Sequence, residues 1–199
     1  MLKEVVIATL NEGKLKEFKS LLGQLGIEVH SLDEFKNIPD VEETGKTFEE
    51  NAKIKAEFIR DLLNIPVIAD DSGLVVDALN GQPGIYSARF AGVEKNDQKN
   101  NEKLLALLQG VEPSKRTARF ISTIALALPK EQTIVVRGTV EGIIGYELKG
   151  SNGFGYDPLF FLQEYQKTMA EISPDLKNKI SHRARAMQEL VQIINKLYM

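Results

Sequence analysis

The sequence has no cysteine, no long apolar segment and little net charge, and each absence narrows what the protein can be. Without cysteine, the chain forms neither disulfides nor thiolate metal sites. No uncharged apolar run approaches the roughly 18 residues that a membrane helix needs. The first residues lead into a strand rather than a signal peptide. We therefore expect a cytoplasmic protein with no membrane partner.

The charge and the length of the chain set further limits. A formal net charge of -3 makes a general attraction to nucleic acid unexpected. With 199 residues and 43% hydrophobic content, the chain can build a sizeable core. No repeat, low-complexity segment or linker divides it. We predict a single domain over residues 1–199, organised as two lobes, with no nucleic-acid partner.

Apolar spacing predicts alternating strands and helices in the first half of the chain. A buried strand at 5–8 precedes a helix that carries Leu15, Phe18, Leu22 and Leu25 on one face. A second strand at 27–32 and a polar loop follow. The next helix begins at a capping box, in which Thr47 caps and Glu50 reaches back. A short buried strand at 67–69 then ends at Asp70.

In the second half the apolar period changes. A helix at 96–108 is followed by two long strands, 117–128 and 133–144, which a hairpin joins. A strand at 159–162 and a last helix from about Ser181 complete the chain. This order predicts an α/β fold in which helices flank a mixed β-sheet.

The first candidate site is the loop after the first strand. It consists of Thr9, Leu10, Asn11, Glu12, Gly13 and Lys14. A strand that runs into a tight loop and a helix directs N–H groups at one point, where the helix dipole favours an anion. Lys14 adds a cation, so the loop predicts a phosphate site. The alternative is an ordinary turn, capped by Asn11, with Lys14 in solvent.

The second candidate is the acidic sequence that begins at Asp70 and Asp71 and continues with Ser72. Adjacent carboxylates beside a buried strand repel each other and are costly to desolvate, and a divalent cation would offset that cost. A solvated turn is the alternative. Glu42 and Glu43, in the acidic loop, could complete such a site, because hard cations take oxygen ligands.

Two later segments offer groups that could bind a substrate. The loop Gly153–Pro158 combines glycines, which allow close approach, with two aromatic rings and the acceptor Asp157. A purine ring would fit it, although a plain turn before a strand is the alternative. Further on, Lys177, His182 and Arg183 cluster near the start of the last helix. Cations there oppose the helix dipole, which indicates an anion or a base oxygen nearby; the alternative is a basic surface patch.

Together, these motifs resemble the inosine triphosphate pyrophosphatase family, the house-cleaning hydrolases of non-standard purine triphosphates. The resemblance covers nearly the whole chain. The matching segments, in order, are Thr9–Lys14, Phe48–Ala52, Ala69–Leu74, Pro83–Arg89, Gly153–Pro158 and Ile180–Arg183.

The resemblance implies an activity and an architecture. The implied reaction cuts ITP, dITP or XTP between the α- and β-phosphates and yields a nucleoside monophosphate and pyrophosphate. The implied fold is an elongated α/β structure with a cleft between two lobes, and the implied assembly is a homodimer. The ranking of the three substrates and the choice between ribose and deoxyribose stay open.

The resemblance also implies residue roles. Asp71 matches the catalytic aspartate, a metal ligand and proton acceptor. Glu42 matches the metal-binding glutamate, while Glu43 and Asp70 are further candidates for a site that takes Mg²⁺ or Mn²⁺. Substrate contacts match Thr9, Leu10, Asn11, Glu12, Gly13, Lys14, Ser72, Phe154, Gly155, Tyr156, Asp157, Lys177, His182 and Arg183. Leu10 departs from the expected small or polar residue, and Ala184 stands where glycine is frequent.

Two other interpretations compete with this one. A Maf-like pyrophosphatase acting on pyrimidine or modified triphosphates is the nearer alternative, and the Phe154 loop together with the His182 segment disfavours it. A nucleotide sensor without chemistry is the other. Adjacent Asp70 and Asp71 argue against a sensor, since carboxylates near phosphate bring no benefit unless a metal is present.

Overall fold

The computed structural model describes the backbone of residues 2–198 and the side chains of residues 2–196. These residues form seven strands and five α-helices, with short 3-10 turns at 32–34, 77–79, 84–89 and 113–115, and strands and helices alternate in the first half of the chain as the sequence predicts. The strands are β1 Glu4–Ile7, β2 Glu28–Ser31, β3 Val67–Val76, β4 Thr117–Ala127, β5 Ile134–Ile144, β6 Phe160–Leu162 and β7 Lys167–Thr168. The helices are α1 Glu12–Gly23, α2 Phe48–Leu63, α3 Asp97–Leu107, α4 Pro174–Ile180 and α5 His182–Tyr198.

All seven strands belong to one sheet, in the order β2-β1-β3-β4-β5-β6-β7. Strand β1 pairs in parallel with β2 and β3, whereas β6 pairs antiparallel with β5 and β7. The predicted mixed α/β sheet is therefore confirmed. Strands β4 and β5 are neighbours, as the predicted hairpin requires. None of the helices between residues 2 and 198 combines the length and apolar character that crossing a bilayer requires.

The chain divides into two compact units. The first contains residues 2–71, 122–138 and 183–198, and the second contains residues 72–121 and 139–182. The second unit has one apolar core, around Leu74, Phe120, Phe160 and Met169. Arg116 is buried beside this core, where it donates to the carbonyl oxygens of Leu108, Ile144 and Gly145.

The first unit has two cores, one on each face of its part of the sheet. Alternate residues of a strand face opposite sides. Val67 and Ala69 of β3 pack with Ala52, Ala56 and Ile59 of α2, whereas Ile68 packs with residues of α1 and α5, namely Phe18, Leu22, Met187 and Leu190. The same alternation continues along β3. It puts Asp70 on the face that α1 and α5 cover and Asp71 on the face that α2 covers.

The predicted end of β3 at Asp70 is wrong. The strand continues through Asp70, Asp71 and Gly73 to Val76. Aspartate and glycine are depleted in strands, so composition favours a turn here. The strand continues because side chains distant in sequence neutralise and hydrogen-bond these carboxylates, which the local sequence does not reveal.

Three smaller predictions also need correction. Helix α1 ends at Gly23, so Leu25 lies beyond it and is 47% exposed. The Thr47 hydroxyl caps α2 by accepting from the Glu50 N–H, but the Glu50 carboxylate accepts from the Lys46 N–H rather than from that of Thr47. Helix α4 was not anticipated, and Ser181 separates it from α5.

Candidate active site

The loop between β1 and α1 has the predicted strand–loop–helix geometry. Asn11 caps α1, and its Oδ1 accepts a hydrogen bond from the Lys14 N–H at 2.9 Å. The Asn11 N–H in turn donates to the Thr9 hydroxyl oxygen at 3.2 Å. Leu10 is 77% exposed, so the unusual residue at this position contributes no packing. Glu12 begins α1 and is exposed, and Gly13 is half-buried.

Asp70 is a buried carboxylate held by two cations. Its Oδ2 lies 2.7 Å from Lys14 Nζ and 3.2 Å from Arg183 Nη2, and its Oδ1 accepts from the Ser122 hydroxyl. Burial alone would raise the pKa of Asp70, but the charges of Arg183 and Lys14 outweigh it and hold the pKa well below its usual range. Lys14 and Arg183 therefore favour the ionised form of Asp70.

Arg183 completes this buried ion-pair network. Its guanidinium is 1% exposed and pairs with both Asp70 and Glu17 of α1. Burial would lower the pKa of Arg183, yet Asp70 and Glu17 raise it above its ordinary value. Two carboxylates of the protein itself thus offset the positive charge in the first turn of α5, for which the sequence alone suggested an external anion.

Asp71, the next residue along, has a different setting. It is 6% exposed, and its Oδ2 accepts a hydrogen bond from Asn51 Nδ2 at 3.1 Å. Burial and the nearby Glu43 raise the pKa of Asp71 to about 6, although Lys14, Lys55 and Asn51 act in the opposite direction. A carboxyl group with this pKa can accept or release a proton near neutral pH.

The acidic loop approaches Asp71 through Asn51. Asn51 Oδ1 accepts from the Gly45 N–H at 2.8 Å while its Nδ2 bonds to Asp71. Gly45 permits this approach, because an added Cβ would lie 2.6 Å from Asn51 Oδ1. Glu43 pairs with Lys55 of α2, and Glu42 is exposed.

The donor chemistry around Asp71 fits a hard divalent cation. Two carboxylates, Asp71 and Glu43, are close enough for one to raise the pKa of the other. Within residues 2–198, the group of three side chains whose ligand atoms all lie within 4.8 Å of one another is Glu4, Glu28 and His30, away from this site.

In the second unit, Asp157 organises the aromatic loop. Asp157 Oδ2 accepts from the Phe154 N–H at 2.9 Å and from Lys177 Nζ at 2.5 Å. The Lys177 ammonium also lies 4.7 Å from the centre of the Phe154 ring, a cation–π distance. Gly153 has a φ of +77°, and an added Cβ would collide with the Asp157 carboxylate. The structure thus brings Phe154, Asp157 and Lys177 together, although the sequence presented the loop and Lys177 as separate candidate segments.

The other predicted residues of this unit have their own supports. Tyr156 is buried and donates its hydroxyl to the Ser87 carbonyl oxygen at 2.8 Å. The His182 ring stacks on Phe120, with 4.9 Å between ring centres. Ser72 is half-buried in β3. Gly155 bonds to side chains of α3 through both of its main-chain polar groups.

Several residues of the first unit contact Asp70, Asp71 or their partners, but the sequence alone did not indicate a role for them. Asn51 and Ser122 are buried polar residues in apolar surroundings, and this contrast was a usable signal. Glu17 and Lys55 gave no such signal in the sequence, since charged residues on helices are usually solvated.

The fold, the residues around Asp70 and Asp71, and the aromatic loop together define the class of this protein. This is an α/β protein whose parallel strand β3 carries a cation-anchored carboxylate next to a protonatable one, with a separate aromatic loop. The model of the Ham1 family matches residues 5–193. The chain therefore belongs to the Ham1 family.

Relatives and solved structures agree with this assignment. A dITP/XTP pyrophosphatase of Listeria innocua is 58% identical over 95% of this chain and 93% of its own length. One from Listeria monocytogenes is 56% identical over 98% of both chains. The Staphylococcus aureus Ham1 protein aligns with a TM-score of 0.87 at 47% identity, covering 98% of this chain and 99% of its own. A Coxiella burnetii HAM1 protein has the same TM-score at 42% identity, covering 98% and 100%. The resemblance inferred from the sequence motifs is confirmed.

Proposed function

We propose that this protein hydrolyses the non-standard purine nucleoside triphosphates ITP, dITP and XTP to the monophosphate and pyrophosphate, and so removes them from the nucleotide pool. The dITP/XTP pyrophosphatases from Listeria, at 56% and 58% identity, support this function. The observation that carries it is the contrast between Asp70 and Asp71. Cationic side chains of the protein neutralise Asp70, whereas the pKa of Asp71 is raised to about 6.

The phosphate-binding role falls to the loop Thr9–Lys14. Its position at the start of α1 gives it N–H groups and the positive end of the helix dipole. Lys14 supplies a cation whose ammonium is already located by Asp70 at 2.7 Å. A substrate phosphate would therefore meet a lysine that loses little side-chain entropy on binding.

The metal site consists of Asp71 and a glutamate of the acidic loop. Glu43 has the stronger support, since its charge reaches Asp71, while Glu42 is the residue that the family resemblance implies. When bound, Mg²⁺ or Mn²⁺ would supply charge neutralisation to the phosphate oxygens and polarise the α-phosphorus. Asp70 has a separate role in this proposal: it anchors Lys14 and Arg183 rather than binding the metal.

Asp71 also acts as a proton acceptor. Asn51 fixes the orientation of its carboxylate at 3.1 Å, and in the metal-free protein burial raises the pKa of Asp71 to about 6. Asp71 would orient the water that attacks the α-phosphorus and accept its proton. Catalysis otherwise consists of positioning and charge neutralisation, which is usual for transfer of phosphate groups.

The purine contacts fall to residues of the second unit. Phe154 offers a stacking face, and Lys177 and Asp157 offer charge and hydrogen bonding around it. His182 or the nearby backbone would donate a hydrogen bond to the C6 oxygen of hypoxanthine or xanthine, and would find no acceptor in the C6 amine of adenine. An unpaired buried polar group costs about 1–3 kcal/mol, or roughly 10- to 100-fold in selectivity per contact.

The test is product analysis with ITP as substrate in the presence of Mg²⁺. We expect pyrophosphate and IMP, and efficiency at least about tenfold higher on ITP and XTP than on ATP. Orthophosphate as the product contradicts the proposed cleavage position. Equal efficiency on ATP and ITP contradicts the base selection.

The same assay separates the two alternatives. A Maf-like enzyme would prefer pyrimidine or modified triphosphates to ITP, and a sensor would bind ITP without releasing pyrophosphate. Addition of EDTA should stop turnover if Asp71 and a glutamate of the acidic loop bind a catalytic metal. We further propose that the protein acts in the cytoplasm as a homodimer and without a nucleic-acid partner; size-exclusion chromatography with light scattering tests the dimer.

A further inference from the structure

Helix α3 holds the aromatic loop at its central residue. Asp97 Oδ2 accepts a hydrogen bond from the Gly155 N–H at 2.7 Å. Asn101 Nδ2 donates to the Gly155 carbonyl oxygen at 2.9 Å. Asp97 and Asn101 are four residues apart, so they are neighbours on one face of the helix. Both main-chain polar groups of Gly155 are therefore bonded by side chains of the same helix.

Packing around Gly155 does not by itself impose this conformation. Gly155 has a φ of +65°, and a Cβ built on it would have no atom within 4 Å. A glycine in open space can adopt many backbone conformations. The bonds to Asp97 and Asn101 therefore restrict the conformation of Gly155, in addition to the turn in which the Asp157 N–H donates to the Phe154 carbonyl oxygen at 3.3 Å.

The environment of Asn101 indicates which of its atoms matters. The residue is 4% exposed, and among the described residues no donor bonds to its Oδ1. Burying an acceptor without a partner costs free energy, which an apolar side chain of similar size would avoid. The amide is thus best explained by its Nδ2, which holds Gly155.

We infer that Asp97 and Asn101 are positioning residues that set the orientation of the Phe154 ring and the Asp157 carboxylate toward the purine. This inference rests on the proposed function of the loop. Gly155 lies between Phe154 and Asp157, whose carboxylate accepts from the Phe154 N–H at 2.9 Å. A shift of Gly155 would therefore move both groups. Neither Asp97 nor Asn101 needs to touch the substrate for this role.

A matched pair of variants tests Asp97. Asp97→Ala and Asp97→Asn both remove a negative charge from the first turn of α3, but only asparagine keeps an oxygen that can accept from Gly155. We expect Asp97→Ala to speed hydrogen exchange of the Gly155 amide about tenfold in the nucleotide-free protein, and to raise KM for ITP about tenfold with kcat within about twofold. Asp97→Asn should restore both values close to those of the wild type.

Asn101→Leu removes the other bond at similar side-chain volume. It should fold, because it also removes the unpaired acceptor, and it should raise KM for ITP in the same way. Gln98→Ala is the control on the same helix, since Gln98 bonds to Glu102 rather than to the loop. This variant should leave KM and the Gly155 exchange rate unchanged.

The outcomes distinguish this inference from the function on which it rests. Unchanged Gly155 exchange and unchanged KM in Asp97→Ala overturn it, even if the wild type releases pyrophosphate from ITP. An equal loss of kcat in Asp97→Ala and Asp97→Asn also overturns it, because the hydrogen bond would then be irrelevant. A wild-type protein that releases no pyrophosphate from ITP contradicts the proposed function instead, and the Gly155 exchange rate still decides whether α3 holds the loop.

Discussion

Asp70 and Asp71 are neighbours in one strand, yet they lie in opposite electrostatic surroundings. Asp70 lies on the face of β3 that α1 and α5 cover, where it pairs with Lys14 and Arg183. Asp71 lies on the α2 face, where an amide donates to it and another carboxylate is near. The two-residue period of a strand separates them. Identical side chains thus acquire different roles from the helices that cover each face.

The largest expected effect is on turnover by Asp71→Asn. The amide cannot accept a proton and is a poor ligand for a hard cation, so kcat for pyrophosphate release should fall by about a thousandfold or more. Nucleotide binding should persist, because Lys14 and the aromatic loop are unchanged; calorimetry with ITP measures it. Turnover at the wild-type rate would remove Asp71 from the chemistry.

Asp70→Asn should affect stability most. The substitution removes a carboxylate that pairs with Lys14 and with the buried Arg183. Removing one partner of a buried ion pair costs about 3–5 kcal/mol, or roughly 10 °C in Tm for a chain of this size. Thermal unfolding measures the change. A variant as stable as the wild type would contradict the anchoring role of Asp70.

In the absence of metal, Asp71→Asn should have the opposite effect on stability. A folded-state pKa of about 6 lies above the unfolded value, so the native state binds the proton more tightly. The contribution of Asp71 to the stability of the wild type should therefore fall as pH rises from about 4 to about 6, by about 2–3 kcal/mol in total. Asp71→Asn should lack this loss and be the more stable protein at pH 7. Urea unfolding in EDTA across this range measures it.

Added Mg²⁺ should reduce or reverse this difference in stability between the two proteins. A metal held by Asp71 stabilises the wild type by mass action and leaves Asp71→Asn unaffected. If the stability of the two proteins changes with pH in the same way in EDTA, burial does not raise the pKa of Asp71.

The smallest expected effect distinguishes two glutamates of the acidic loop. Glu43→Gln should raise the Mg²⁺ concentration needed for half-maximal activity about tenfold, because it removes a carboxylate that already acts on Asp71. Glu42→Gln, at an exposed position in the same loop, should change it less. A larger effect at Glu42 would assign the metal to the residue that the family resemblance implies.

Much of the fold could be predicted from apolar spacing and turn chemistry. Strands β4 and β5 and helix α3 occur within one residue of the predicted bounds, because their patterns are long and regular. The course of β3 beyond Ala69 could not be predicted. It depends on Lys14, Asn51 and Arg183, which are far away along the chain and meet the strand only after folding.

The candidate site shows the same limit. The sequence indicated the aromatic loop and the segment around Lys177 as two separate candidates, and only the fold brings Lys177 to Asp157 and Phe154. The separation of Asp70 from Asp71 depends on which helix covers each face, and no local motif encodes that. Sequence therefore identifies the chemistry of the residues, and packing assigns their roles.

The pKa values of the two aspartates test this account most directly. Carbon-detected NMR of both carboxyl groups can follow their titration in the metal-free protein. We expect Asp71 to titrate near pH 6, while Asp70 stays ionised down to the lowest pH at which the protein remains folded. Two carboxyl groups that titrate together near the ordinary aspartate value would contradict it.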